Sequence, residues 1–331
     1  MASLREVKDH IASVRSTLKI TSAMKLVASA KLWKAQQAAE GVRPYTEALA
    51  SMLSCVLTGG EGGNPFLRPS SKPDPSQQSW APPVTATGGY DSEMDSTLPA
   101  NTSVSGEGNR RVAIVAVASN SSLCGGFNIN VIHKVQEVVA EIRKAGGEVE
   151  VISVGRKMAE AMRKAGFAPE DHADLVGRNT FEKSAAFAQT LIDAFNSGRY
   201  GRIVLIYNHF VSTASQKVQV EQYLPFAGGG RDSVPAASGT VIPSEAKESD
   251  YILEPSREEI LETLLPQVMR LRIHTVLLDS IAAEHAARTL AMQAASDNAE
   301  DLLAELTLEY NKGRQQKITS EILDLIGGAQ Q

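Results

Sequence analysis

Apolar residues recur at alternating steps of three and four from the start of the chain: Leu4, Val7, Ile11, Val14 and Leu18. That spacing keeps one side of an α-helix apolar, and a seven-residue repeat of this kind lets two helices wind around each other. Ser3 and Glu6 stand at its head as a capping box, which satisfies free backbone N–H groups at a helix start. Continued strictly, the register places Thr21 and Lys25 in the seam. The stripe is therefore expected to shift to Ile20, Met24 and Val27. Gly41 and Pro44 are expected to kink the helix, because proline removes one hydrogen bond and crowds the preceding turn. The helical pattern resumes from Tyr45 to Leu57 and stops at Gly59-Gly60.

The far end of the chain carries a second, longer helical pattern. Ser256 and Glu259 form another capping box after Pro255, and Pro266 is expected to break or kink the opening turns. Beyond it there is no glycine until Gly313, and good helix formers continue to Ile326, where Gly327-Gly328 marks the stop. A helix of about sixty residues would span roughly 90 Å, far beyond the length of an ordinary domain helix. Such a helix needs a partner along its length.

Between these ends the pattern alternates. Val112 to Ala118, Val149 to Val154 and Arg202 to Tyr207 read as buried strands, and Lys217 to Tyr223 as a further strand. Ile129 to Ala145, Lys157 to Ala165 and Glu182 to Asn196 read as helices. Strand and helix in alternation imply a small sheet with helices packed on it. Residues 59–109 are different: they hold seven of the fourteen prolines and eight glycines, with no periodicity. That composition buries too little apolar surface to offset its ordering entropy, so it reads as a loop or disordered insertion. The chain divides into an N-terminal coiled-coil helix (1–58), the insertion (59–109), a Rossmann-like α/β domain (110–249) and a C-terminal coiled-coil helix (250–331). The fold class expected is an α/β domain plus a long antiparallel coiled coil formed by the N- and C-terminal helices. The Ala-rich stretch from Ala282 to Ala299 would let the two helices approach closely.

Charge supports the pairing. Residues 1–57 carry eight Lys/Arg against four Asp/Glu, whereas residues 257–331 carry seven against twelve. Opposite signs suit helices lying side by side. The net charge of −5 gives no basis for nucleic-acid binding. No apolar run approaches the roughly 20 residues that span a bilayer, so membrane association is expected only through a partner. The N-terminus has neither an apolar signal region nor a transit pattern. Two cysteines, Cys55 and Cys124, give no disulfide framework and no zinc site.

Candidate chemistry is sparse. SLCGGFN (residues 122–128) follows a strand and opens a helix, where backbone N–H groups could cradle a phosphate. It lacks the lysine of a phosphate-binding loop, and a tight turn that needs glycine, with Cys124 as a small buried filler, is the plainer reading. The six histidines show no metal-ligand spacing, and His285 on the long helix reads as a packing or hydrogen-bonding residue. No catalytic residues, cofactor or metal site are expected.

Three windows carry a family resemblance: IASVRSTLKITSAMKLVASAK (11–31), SLCGGFN (122–128) and EHAARTLAMQAASDNAEDLLAELTLEYNKGRQQKITSEILDLIGGA (284–329). In this order they resemble the gamma subunit of the F-type ATP synthase. The resemblance implies a non-catalytic central-stalk rotor that couples proton flow through a membrane ring to ATP synthesis or hydrolysis at the beta subunits. Its partners would be the alpha and beta subunits of the catalytic hexamer, the epsilon subunit and the membrane c-ring. Its place would be the cytoplasmic face of a bacterial inner membrane, as a peripheral protein. By position, the resemblance assigns contact with the catalytic ring to Met24, Lys25, Arg314, Gln315, Thr319 and Glu321, and contact between shaft and surroundings to Arg288. Asp250 to Pro255 corresponds to the region near the membrane ring, with Tyr251 as the contact residue. Without the resemblance, Met24 would read as a seam methionine, Lys25 as a surface lysine, and Arg288, Arg314, Gln315, Thr319 and Glu321 as a solvated helical face. Two other classes fit the pattern: a coiled-coil scaffold unconnected with ATP, and a small α/β enzyme with helical arms.

Overall fold

The structure is a computed structural model and describes residues 4–57, 111–177, 179–225 and 256–328. The insertion expected at 59–109, the capping residue Ser3 and the ring-contact candidate Tyr251 lie outside these residues.

Two helices, α1 (Leu4–Leu57) and α6 (Arg257–Gly328), run antiparallel. The rise of 1.5 Å per residue makes the 72-residue α6 roughly 108 Å long. At the tip Leu4 meets Gly313, and Val7 and Val14 pack with Ala299 and Leu306. Mid-rod, Leu32 and Ala35 pack with Ala282 and Ala286. At the base, Leu53 and Val56 share a core with Leu261 and Leu265. The alanines meet at the position the sequence marked for close approach.

The seam corrects one expectation. It does not pass to Ile20, Met24 and Val27, for Ile20 and Val27 are more than half exposed. It keeps the strict register through Thr21, Ala28, Leu32 and Ala35, all buried. Thr21 tolerates the seam because its hydroxyl is paired with Ser296 Oγ at 2.9 Å and also reaches the Leu18 carbonyl. A buried polar group that has its hydrogen bonds carries little penalty. The prolines do not end either helix: α1 continues through Gly41 and Pro44, and Pro266 does not break α6. Buried leucines lie near each proline, Leu49 and Leu53 after Pro44 and Leu261 and Leu265 before Pro266, and their packing helps to offset one missing backbone bond.

The α/β domain is built on β1 (Arg111–Val117), β2 (Glu148–Val154), β3 (Glu170–Asp171), β4 (Arg202–Phe210) and β5 (Gln216–Leu224). The sheet order is β3-β2-β1-β4-β5, parallel except for the antiparallel edge strand β5. Alternate residues of β1 face opposite layers. Ile114, Ala116 and Ala118 pack under α2 (Phe127–Lys144) and α3 (Arg156–Lys164). Ala113, Val115 and Val117 pack against α5 (Phe181–Asn196) and, beyond it, α6. The first third of α6, through Leu265, Met269, Ile273, Val276 and Leu277, thus completes the domain core as well as forming the rod. The two-residue β3 and the single turn α4 (Asp174–Gly177) were absent from the sequence reading, because elements so short show no period.

Candidate functional site

In a doubly wound sheet the ligand crevice lies at the carboxyl ends of the strands, where the strand order reverses. Here the reversal falls between β1 and β4. That crevice is filled by the chain itself. Ala283 and Ala287 of α6 pack there on Cys124 and Phe127 of the β1–α2 turn, with Phe210 beside them. Asn208 Nδ2 donates to the Phe127 carbonyl at 3.1 Å. The turn is a tight one: Gly125 has φ +57°, and Leu123, unexpectedly for a leucine, has φ +66°. Asn128 ties the turn together: its Oδ1 accepts the Ser119 N–H at 3.0 Å and its Nδ2 donates to Cys124 Sγ at 3.1 Å. Cys124 is buried, a filler as read from the sequence. The domain thus uses its ligand crevice as a socket for the shaft.

Arg288 belongs to this socket. Its Nη1 pairs with Glu284 Oε1 at 2.7 Å one turn earlier, and its Nη2 donates to Ser121 Oγ at 2.8 Å. Only 8% of the residue is exposed. Burial raises the Glu284 pKa, and the neighbouring guanidinium opposes that rise. His285 lies beside the pair, 3.4 Å from Arg288 Nη1; burial first, then Arg288 and Lys31, push its pKa down to about 4. A histidine held neutral in the fold adds stability above its unfolded pKa near 6.5 and loses it as pH falls toward 4. The melting temperature is therefore expected to fall across that window. His285→Gln should flatten the fall, which thermal melts of both proteins at pH 4.5 and 7 would show.

The remaining candidates are dispersed along the rod. Met24 and Lys25 are half-buried on α1, with Lys25 in seam register. Arg314, Gln315, Thr319 and Glu321 are exposed. Among the described residues α1 ends opposite Gly313, so these four stand on a single helix beyond the coiled coil. Thr319 Oγ1 donates to the Gln315 carbonyl at 2.9 Å, and Lys317 Nζ lies 3.9 Å from Glu321. Ile318, Ile322 and Leu323 on the same segment are also exposed. On α1, Ile20, Leu26, Val27 and Trp33 add to the uncovered apolar surface. The structure thus brings Arg288 into a joint and leaves the other six on the shaft.

Comparison with known proteins agrees with this architecture. A family model described as ATP synthase matches residues 3–331. The chain is 42% identical to the ATP synthase gamma chain of Phocaeicola vulgatus, over 99% of each chain. The chain belongs to the ATP synthase gamma-chain family. It is also 38% identical to the gamma chain of Flavobacterium psychrophilum, over 100% of this chain and 99% of that one. Among solved structures, a chain of the Euglena gracilis mitochondrial ATP synthase in the OSCP/F1/c-ring assembly superposes with a TM-score of 0.61. That match covers 99% of this chain and 93% of the other at 19% identity, a likeness of fold. A rotor chain of the same enzyme gives a TM-score of 0.57 over 95% and 98% of the two chains at 18% identity. Membership makes this a central-stalk subunit of the F-type ATP synthase, one that is itself non-catalytic. Among the described residues no helix is long and apolar enough to cross a membrane.

Proposed function

We propose that this chain rotates inside a hexamer of alpha and beta subunits and transmits torque between that hexamer and a membrane c-ring. The observation that carries the reading is the uncovered end of α6. A lone helix of about fifteen residues is marginal in water. One that also exposes Ile318, Ile322 and Leu323 calls for a sheath. A ring of subunits around the tip would supply it and would meet Arg314, Gln315, Thr319 and Glu321. Met24 and Lys25, near mid-rod, would meet the rim of that ring.

In thermodynamic terms the shaft acts as a ligand whose contact energy differs among conformers of the beta subunit. Each orientation shifts their populations, and a full turn takes every site through binding, reaction and release. The α/β domain at the base would ride on the c-ring, with Tyr251 in contact and the epsilon subunit alongside. The protein would sit on the cytoplasmic face of a bacterial inner membrane, held there by its partners. Nucleotides would bind the alpha and beta subunits. Co-purification tests the reading: the tagged chain is expected to bring down alpha, beta and c subunits together. Recovery of the chain without alpha and beta would favour a scaffold unconnected with ATP.

A further inference from the structure

The carboxylate of Asp279 lies where α6 passes the end of β4. Its Oδ1 accepts the backbone N–H of Phe210 at 3.0 Å, and its Oδ2 lies 2.5 Å from His209 Nδ1. The pairing with Asp279 raises the His209 pKa, against the opposing effect of burial. Phe210, the last residue of β4, is wedged between the coiled coil and the β1–α2 turn. It packs on Leu32, Ala35 and Ala282 on one side and on Cys124 and Phe127 on the other.

This location matters because the surrounding contacts are smooth. Alanines on α6 resist being pulled away from the domain, but apolar contact is non-directional and does little to prevent sliding or twisting. Hydrogen bonds to a carboxylate are directional and stronger than neutral ones. The other polar ties between α6 and the domain include Arg270 to Gln189, Arg272 to Glu221, His274 to Ser184, Arg288 to Ser121 and the Tyr223 hydroxyl donating to the Met269 carbonyl, and on the domain side each is a side chain. A side chain can yield by changing rotamer. Asp279 instead grips a backbone N–H of the sheet, which moves only with the sheet.

We propose that Asp279 is a positioning residue for energy coupling: with His209 and the Phe210 N–H it fixes the rotational phase between the α/β domain and the shaft. The proposal rests on the central-stalk reading, in which the domain receives torque and the helices deliver it. It concerns loaded operation, since a shifted phase has little consequence when the complex turns against no gradient.

The test uses the assembled complex in sealed vesicles, with ATP hydrolysis and the steady pH gradient measured on the same preparation. Asp279→Ala removes both acceptors and Asp279→Glu keeps a carboxylate. Hydrolysis with the gradient collapsed by an ionophore is expected at the wild-type rate in both. The steady gradient is expected to fall roughly two-fold in Asp279→Ala and to recover in Asp279→Glu. A merely structural role would reduce the amount of complex and leave the gradient per complex unchanged. A wild-type gradient in Asp279→Ala at normal subunit composition overturns the proposal, as does failure of Asp279→Glu to restore a lost one. Should Asp279→Ala not assemble, Asp279→Leu takes its place, filling the space of the carboxylate with no acceptor for either the Phe210 N–H or His209. A reduced gradient in it supports the proposal, and a wild-type gradient overturns it. Failure of the central-stalk reading would look different, because the wild-type chain would then not bring down alpha and beta subunits.

Discussion

Replacing Arg314 and Gln315 together by alanine is expected to lower ATP turnover of the assembled complex by about ten-fold. Both side chains are exposed on the single-helix tip. An arginine there can make a charge-assisted hydrogen bond with a carboxylate of a surrounding subunit, worth roughly 1.5–3 kcal/mol where partly desolvated. A contact made at only some orientations stabilises one conformer over another by a similar amount, which corresponds to about a decade or more in rate. As plain solvated residues they would change stability by no more than about 0.5 kcal/mol and turnover not at all. Steady-state hydrolysis and proton pumping by complexes of verified composition separate the two cases. Wild-type rates in the double mutant would remove the contact.

The second large effect is structural. Gly155 joins β2 to α3 with φ +108°, and a Cβ there would lie 2.1 Å from the Ala118 carbonyl oxygen. The crowding follows from the sheet, since Ala118 N–H donates to the Val154 carbonyl at 2.9 Å and Lys157 N–H to the Ser119 carbonyl at 3.1 Å. Both the ends of the two parallel strands and the start of the turn around Cys124 depend on this approach. Gly155→Ala is expected to destabilise the domain by about 3–5 kcal/mol through strain at positive φ together with the clash. In a chain of this size that lowers the melting temperature by about 10 °C. A thermal melt followed by circular dichroism checks it. An unchanged midpoint would mean that the end of β1 can retreat without loss.

How far the sequence could be read depended on the distance over which its signals act. The two long helices and the four longer strands announced themselves through local period, and the Ala-rich stretch announced the close approach. The seam is hidden at Thr21 because a polar residue in an apolar register looks like the end of the stripe. Its partner Ser296 is 275 positions away, and nothing local points to it. At Arg288 the local signal has the same short reach. The helix pattern shows which face it occupies but cannot show that Ser121 lies opposite. The pairing of Asp279 with His209 and Phe210 gave no signal at all, since a carboxylate on a long helix and a histidine at a strand end are each unremarkable alone. The glycine pair in SLCGGFN points to the tight turn that is found there. Gly155, which is under the tighter constraint, carried no motif to mark it.

The alanines that draw α1 and α6 together at mid-rod also thin the rod. Flexural rigidity of a paired beam grows with the square of each member's distance from the neutral axis, so a section where the members close up bends most easily. In this chain that waist, at Leu32, Ala35, Ala282 and Ala286, lies within the stretch of α6 gripped by the domain. The sheet and its turn act there as a splint. Bending is thereby displaced outward, to the two-helix section beyond Arg288 and above all to the part of α6 past Gly313, which has no α1 beside it among the described residues. The compliant part of the shaft is then the part farthest from the domain, and elastic strain would accumulate there between steps.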